Sequence, residues 1–113
     1  MIGRYAMSNE RFRAIASTSA YTLDLPGGAG YEIYNGNSLL ANYPGADGIK
    51  IGWTDRAGWT LVGSAVRDGR RLFVTVLDSQ DRDADAAALM DWAFGTYRWE
   101  SKHVRMLEVL QRL

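Results

Sequence analysis

The sequence predicts an α+β fold: an antiparallel sheet flanked by helices. Three observations predict it. Gly48 to Leu77 reads as three successive strands, joined by turns at Asp55-Arg56-Ala57-Gly58 and Asp68-Gly69. Both faces of those strands are largely apolar, as expected of a sheet with helices on each side. Residues 82–98 then change from strand-like to helical periodicity. A chain of 113 residues is long enough for one modest core, so residues 1–113 are read as a single module.

The elements follow in order. Residues 1–7 read as a helix fragment with Ile2, Tyr5 and Ala6 on one side. Ser8 or Asn9 caps a following turn that presents Phe12 and Ile15. The fragment opens on apolar residues with no start signal of its own, so further sequence upstream is expected. Residues 18–25, with Thr18, Tyr21, Thr22 and Leu23, read as an extended strand. Pro26-Gly27-Gly28 forces a loop, and Tyr31 to Tyr34 returns as a short strand. Asn37 caps a brief helical turn containing Leu39, Leu40 and Tyr43, which Pro44-Gly45 ends.

The three sheet strands are Ile49–Thr54, Trp59–Val66 and Arg71–Leu77. Asp68-Gly69 is a two-residue hairpin signal, because such turns demand positive φ. Centring the hairpin there pairs Ala65 with Leu72, Gly63 with Val74 and Leu61 with Val76. Leu61, Ala65, Leu72, Val74 and Val76 then share one face, and Val62, Val66, Phe73 and Leu77 the other. In the helix over 82–98, Ala86, Leu89, Met90, Ala93, Phe94 and Tyr97 form one stripe. Acidic residues at its start and Arg98 at its end suit the helix dipole. Residues 102–113 give a second amphipathic stretch, with Met106, Val109, Leu110 and Leu113 aligned, a stripe expected to pack on the sheet, the alternative being an assembly contact.

Composition excludes several function classes. Thirteen basic and thirteen acidic side chains give no net charge, which removes the electrostatic signature of a nucleic-acid or acidic-membrane binder. No apolar run has the length of a membrane segment, and Met1-Ile2-Gly3-Arg4-Tyr5 does not read as a signal peptide. The absence of cysteine excludes disulfides, zinc–thiolate sites and thiol chemistry. A single histidine, His103, excludes a multi-histidine metal site, and no metal ligand set is expected.

A serine–lysine hydrolase needs serine three residues before lysine on a helix, so that one turn stacks amine on hydroxyl. The two lysines fail this test, since Asp47 precedes Lys50 and Trp99 precedes Lys102 at that spacing. A Ser-His-Asp triad would require His103, which reads as a surface residue of the tail. Asp78, Asp81, Asp83 and Asp85 cluster at a helix start and read as caps, while Asp55 and Asp68 read as turn residues. Arg67, Arg70 and Arg71 read as a solvated turn. Trp59 and Trp92 fit core positions. Trp53 admits two readings, partial core or the lining of a cleft beside Lys50.

Three spaced strings carry a resemblance: Asn35-Gly36-Asn37-Ser38-Leu39-Leu40, Tyr43-Pro44-Gly45-Ala46-Asp47-Gly48-Ile49-Lys50-Ile51-Gly52-Trp53-Thr54-Asp55-Arg56-Ala57-Gly58-Trp59, and Arg67-Asp68-Gly69-Arg70-Arg71-Leu72. Together they resemble the serine D-alanyl-D-alanine carboxypeptidases, the low-molecular-mass penicillin-binding proteins. The resemblance runs from about Arg4 to about Tyr97, and it corresponds to the C-terminal part of that family's catalytic domain. It implies the C-terminal portion of a β-lactamase-like fold. It also implies an acyl-serine enzyme without cofactor, acting on peptidoglycan stem peptides or reacting with a β-lactam. The location it implies is periplasmic or extracellular.

In that family the motifs S-x-x-K and S-x-N lie upstream, so no complete catalytic set is expected in this chain. The third motif, K-T-G, falls on Lys50-Ile51-Gly52. The resemblance implies that Lys50 supplies positive charge, Gly52 allows close approach, and the Trp53 N–H completes the oxyanion hole. The strand edge would pair with an extended substrate. Read alone, Lys50 is an edge-strand lysine that discourages pairing. Ile51 departs from the family's threonine, and losing that hydroxyl costs about 1–3 kcal/mol if it faces a buried carboxylate. The expected reading is one active-site wall, inactive alone, with exposed surfaces that favour a homo-oligomer or domain-exchanged dimer. The alternative is a non-catalytic peptide- or protein-binding module.

Overall fold

The structure, a computed structural model, describes residues 1–99 and 110–112. In chain order the elements are α1 (Ile2–Ala6), α2 (Glu10–Ala16), β1 (Ala20–Asp24), β2 (Gly30–Tyr34), α3 (Leu39–Asn42), β3 (Ala46–Thr54), β4 (Gly58–Arg67), β5 (Arg70–Ser79) and α4 (Arg82–Thr96). β3, β4 and β5 form an antiparallel sheet in that order, and β1 pairs with β2 in a separate hairpin. The α+β architecture is therefore as expected. β3 begins three residues earlier than its apolar run suggests, because a register irregularity between Ala46 and Gly48 carries the pairing back towards Gly45.

The turn chemistry sets the register. Asp68 and Gly69 both have positive φ, 50° and 72°, as a two-residue hairpin requires. Ala65 faces Leu72, Gly63 faces Val74 and Leu61 faces Val76, the pairs expected from centring the turn there. Leu61, Ala65, Val74 and Val76 consequently share a face. They meet Leu39, Tyr43, Ala86 and Met90 in one buried cluster, with Leu72 packed at its edge.

The helix over this face ends at Thr96, and Tyr97 is already extended. Its buried line is rotated relative to the expected stripe. Ala86 and Met90 are buried, and Ala87 and Phe94 pack against them, whereas Leu89 and Tyr97 are exposed. At about 100° per residue, a face centred between Ala86 and Ala87 leaves Leu89 at the side. Trp92 also lies outside the core, edge-on to Tyr97 with ring centroids 5.3 Å apart.

Asp81, Asp83 and Asp85 of the acidic cluster each make a structural hydrogen bond. Asp81 caps α4 by accepting from the Ala84 N–H at 3.0 Å. Asp83 accepts from the Ser38 hydroxyl and Asp85 from the Ser79 hydroxyl, both at 2.5 Å. The helix start is thereby tied to α3 and to the end of β5. Asn9 caps α2, accepting from the Phe12 N–H at 3.0 Å. At α3 the cap position is Ser38, one residue beyond Asn37, although the Asn37 side chain still accepts from the Leu39 N–H at 3.3 Å.

The second face is not covered as expected. α1 and α2 have five and seven residues; α2 packs on β3, and α1 borders an open pocket with Val62, Phe73 and Thr75 of β4 and β5. Gly3 lies against Ile49 and Val62, and Met7 is buried, while Ile2, Tyr5 and Leu77 are exposed. The β1–β2 hairpin places Tyr21 opposite Ile33 and Leu23 opposite Tyr31, and all four are exposed. The amphipathic stretch expected from Lys102 and His103 onward lies largely outside the described residues, and of its aligned positions only Leu110 is described, exposed.

Two of the arginines beside the hairpin are not simply solvated. Arg71 pairs with Asp47 at 2.7 Å and donates to the Ser64 hydroxyl at 2.6 Å. Arg67 pairs with Asp91 at 3.0 Å, donates to the Pro44 carbonyl at 3.2 Å and stacks 4.4 Å from the Tyr43 ring centroid. Long side chains emerging from strand ends reach back across the sheet, where the aromatic rings and carboxylates fix them.

Tyr43 donates its phenol to the same Asp91 oxygen at 2.8 Å. Burial, then that hydrogen bond, pushes its pKa up to about 12 from 10.0. The favoured form is the neutral phenol. Its contribution to stability is therefore full below pH 10 and lost as pH rises through about 12. Tyr43→Phe is expected to lower stability by about 1 kcal/mol at neutral pH. Urea unfolding between neutral pH and pH 12 should show a steeper alkaline loss in the parent chain than in the variant. Parallel curves would mean that Tyr43 ionises alike folded and unfolded.

Candidate active site

β3 is an edge of the sheet, paired with β4 alone among the described residues, and Lys50, Ile51, Gly52 and Trp53 lie in its second half. Lys50 is exposed, and its ammonium donates to the Ile51 carbonyl. The Gly52 carbonyl accepts from Arg82 Nη1 at 3.4 Å, on the α4 side. Successive carbonyls of a strand point to opposite sides, and the C=O and N–H of one trans peptide also point apart. The Trp53 N–H therefore points away from Arg82, to the side of the Ile51 carbonyl and the Lys50 ammonium. A cation, an acceptor and a donor thus line one side of this short segment.

Beside this edge lies an open groove of about 940 Å³, formed where α1 and α2 leave the second face of the sheet uncovered. Phe12, Ile15, Tyr34, Ile49, Ile51 and Val62 line it, with Lys50 at its rim. Its walls are mainly apolar with few polar groups, the character of a ligand groove. Ile51 also packs against the core cluster, and its Cδ1 lies beside Gly36. It presents no polar atom where the family resemblance implies a hydroxyl.

Trp53 is 54% exposed, so it lies outside the core. Trp59, expected in the core, is 43% exposed. It sits at the start of β4, where the β4–β5 register shifts between Trp59 and Leu61 and the ring is turned out of the core. The two rings lie 5.8 Å apart, and the Arg82 guanidinium lies 4.7 Å from the Trp59 centroid. Sequence reasoning missed Arg82. Its signal was available: a cation in the first turn opposes the helix dipole, which suggests that something else holds it there. Among the described residues there is no group of three or more His, Asp or Glu placed to hold a metal ion, and no helix long and apolar enough to cross a membrane.

Solved penicillin-binding DD-peptidases share this architecture, an antiparallel sheet backed by a long helix, and the fold falls in their class. The chain belongs to the D-alanyl-D-alanine carboxypeptidase family, whose sequence model matches residues 1–81. It is 38% identical over 101 residues to the D-alanyl-D-alanine carboxypeptidase DacB2 of Mycobacterium tuberculosis, covering 83% of this chain and 34% of that protein. It is 36% identical over 101 residues to a Streptomyces D-alanyl-D-alanine carboxypeptidase, covering 82% of this chain and 35% of that one. Among solved structures, a D-alanyl-D-alanine carboxypeptidase from Mycobacterium tuberculosis superposes with a TM-score of 0.76 at 35% identity, over 88% of this chain and 40% of that one. A Streptomyces DD-transpeptidase superposes with a TM-score of 0.74 at 35% identity, over 83% and 39%. The chain thus spans about a third of the length of these curated relatives.

Proposed function

We propose that residues 1–113 are the C-terminal part of a serine-type D-Ala-D-Ala carboxypeptidase domain and supply one wall of its active site. Lys50, Ile51, Gly52 and Trp53 form that wall. The observation that carries the reading is the β3 edge, where the Lys50 ammonium, the Ile51 carbonyl and the Trp53 N–H share one side beside an apolar groove. An extended stem peptide would pair with this edge. The Trp53 N–H would donate to the developing oxyanion, and Lys50 would stabilise negative charge. The attacking serine would come from polypeptide outside these 113 residues, since S-x-x-K does not occur within them. The place of action in this reading is periplasmic or extracellular, at the cell wall.

The test is labelling by a fluorescent penicillin. The 113-residue chain alone should not label. A hybrid carrying residues 1–99 in place of the matching segment of the Streptomyces relative should label on the relative's serine. A folded hybrid that does not label would overturn the reading. Labelling of the isolated chain would show a competent serine within it.

Ile51→Thr in that hybrid should raise acylation by a carboxylate-bearing penicillin about tenfold, from the restored hydroxyl. No gain would mean that the Ile51 position does not face the carboxylate. The uncovered second face and the exposed apolar side of the β1–β2 hairpin also support self-association of the isolated chain, as a homodimer or domain-exchanged assembly. A monomer by light scattering at high concentration would contradict that. A non-catalytic binding module is the second reading, favoured by the isoleucine at the threonine position.

A further inference from the structure

We propose that two copies of this chain pair through the outer edge of β5, antiparallel and centred on Val74, so that their sheets run on as one. This gives the self-association proposed above a specific surface; it rests on that proposal and not on the reading of the active-site wall. Among the described residues β5 pairs with β4 alone, so no strand lies on its other edge. The two outer edges of the sheet differ. β3 carries Lys50 and a register irregularity between Ala46 and Gly48, features that discourage strand pairing. The run from Arg71 to Leu77 has no lysine, proline or glycine. Phe73, Val74, Thr75 and Val76 at its middle are the aromatic and β-branched types that strands favour.

The hairpin turn decides which groups face that edge. Asp68 and Gly69 alone separate Arg67 from Arg70, and such a turn leaves the flanking residues as a hydrogen-bonded pair. Leu72, Val74 and Val76 therefore turn their N–H and C=O groups to β4, and Arg71, Phe73 and Thr75 turn theirs outward. When identical strands pair antiparallel, outward-facing residues stand opposite one another. Centring on Val74 sets Phe73 against Thr75 of the second copy, and each such pair exchanges two main-chain hydrogen bonds. It also sets Leu72 against Val76 on the core face, and Arg70 against Asp78 at both ends. Neither Arg70 nor Asp78 makes an ion pair within its own chain among the described residues. Sliding one strand by two residues sets Asp78 against Leu72 or against the turn residue Asp68, so charge selects the centred register. Leu77, 72% exposed, comes diagonal to Phe73 of the second copy. α4 adds to the contact. Asp85 reaches Ser79 at the end of β5, so that flank of the helix lies on the β5 side. Leu89 is exposed one turn further along it, about 200° round from Asp91, which holds Tyr43 and Arg67 on the other flank. In the assembly the two Leu89 flanks face each other across the junction.

The experiment follows the full 113-residue chain by sedimentation equilibrium over about a hundredfold range of concentration, with amide hydrogen exchange at both ends of that range. The chain should pass from monomer to dimer, and the Phe73 and Thr75 amides should gain protection with concentration while those of the β1–β2 hairpin do not. Thr75→Pro removes an outward N–H without touching the β4 ladder, and it should weaken dimerisation about tenfold or more. Arg70→Asp, at an exposed position beside the turn, sets like charges opposite one another at both ends and should weaken it about tenfold. Tyr21→Ser on the hairpin should leave it unchanged. A chain that stays monomeric throughout would overturn both this proposal and the self-association it rests on. Phe73 and Thr75 amides already fully protected in dilute monomer would assign the edge to another segment of the same chain, such as residues 100–109, and overturn the proposal. Association that survives both β5 variants, whether or not Tyr21→Ser abolishes it, places the contact elsewhere and overturns the proposal while self-association stands. Penicillin labelling of the hybrid is read separately, so failure of the catalytic reading leaves this result decided.

Discussion

Gly45→Ala is expected to destabilise the chain by about 3 kcal/mol or more, enough to unfold a small domain. Gly45 has a φ of 83°, a left-handed conformation that costs a side-chain-bearing residue about 1–2 kcal/mol. A Cβ there would also lie 2.1 Å from the Val66 carbonyl oxygen and 3.0 Å from its carbon. That neighbour is backbone inside β4 and cannot swing aside. The contact closes where the Val66 N–H donates to the Gly45 carbonyl at 2.8 Å, so relief of the clash breaks the bond that starts the β3–β4 ladder. Gly69→Ala is the matched control. Its φ of 72° is equally left-handed, but a Cβ would meet nothing within 4 Å. Only the conformational term remains, about 1–2 kcal/mol. Chemical denaturation of both variants checks the difference. Equal losses would mean that the Gly45–Val66 approach is not as close as described.

Lys50→Met is expected to lower penicillin acylation of the hybrid by about 100-fold or more, the scale of losing one electrostatic stabiliser of a developing anion. The side chain is exposed and its hydrogen bond runs to the carbonyl of its own neighbour. Stability should therefore stay within about 0.5 kcal/mol, as at an ordinary surface position. The pairing of a large kinetic loss with an unchanged melting curve separates a site residue from an edge-strand lysine. Acylation at the parent rate would leave Lys50 with only the role of discouraging strand pairing.

Much of this was legible in the sequence, and the limits are physical. The hairpin register was readable because Asp68-Gly69 permits only one centring, and a period of two then fixes every pair from Arg67–Arg70 to Leu61–Val76. The α2 cap was readable from Asn9 because capping is local. The tryptophans were not. Trp59 and Trp92 have the size and apolarity of core residues, but a register shift and a helix rotation of less than one residue decide their placement. Coverage of the second face failed for a related reason: apolar strands report that a face wants burial, not which polypeptide supplies it. At the candidate site, Lys50-Ile51-Gly52-Trp53 stood out through a resemblance. The groove and Arg82 depended on contacts between segments 30 or more residues apart, such as Arg82 with Gly52, which no local pattern encodes.

The most direct measurement is a crystal structure of the penicillin-acylated hybrid. The acyl carbonyl oxygen is expected about 3 Å from the Trp53 nitrogen, with the ligand's amide laid along the outer edge of β3 and Lys50 facing its charge. An acyl group seated elsewhere, or a Trp53 N–H turned inward to β4, would contradict it.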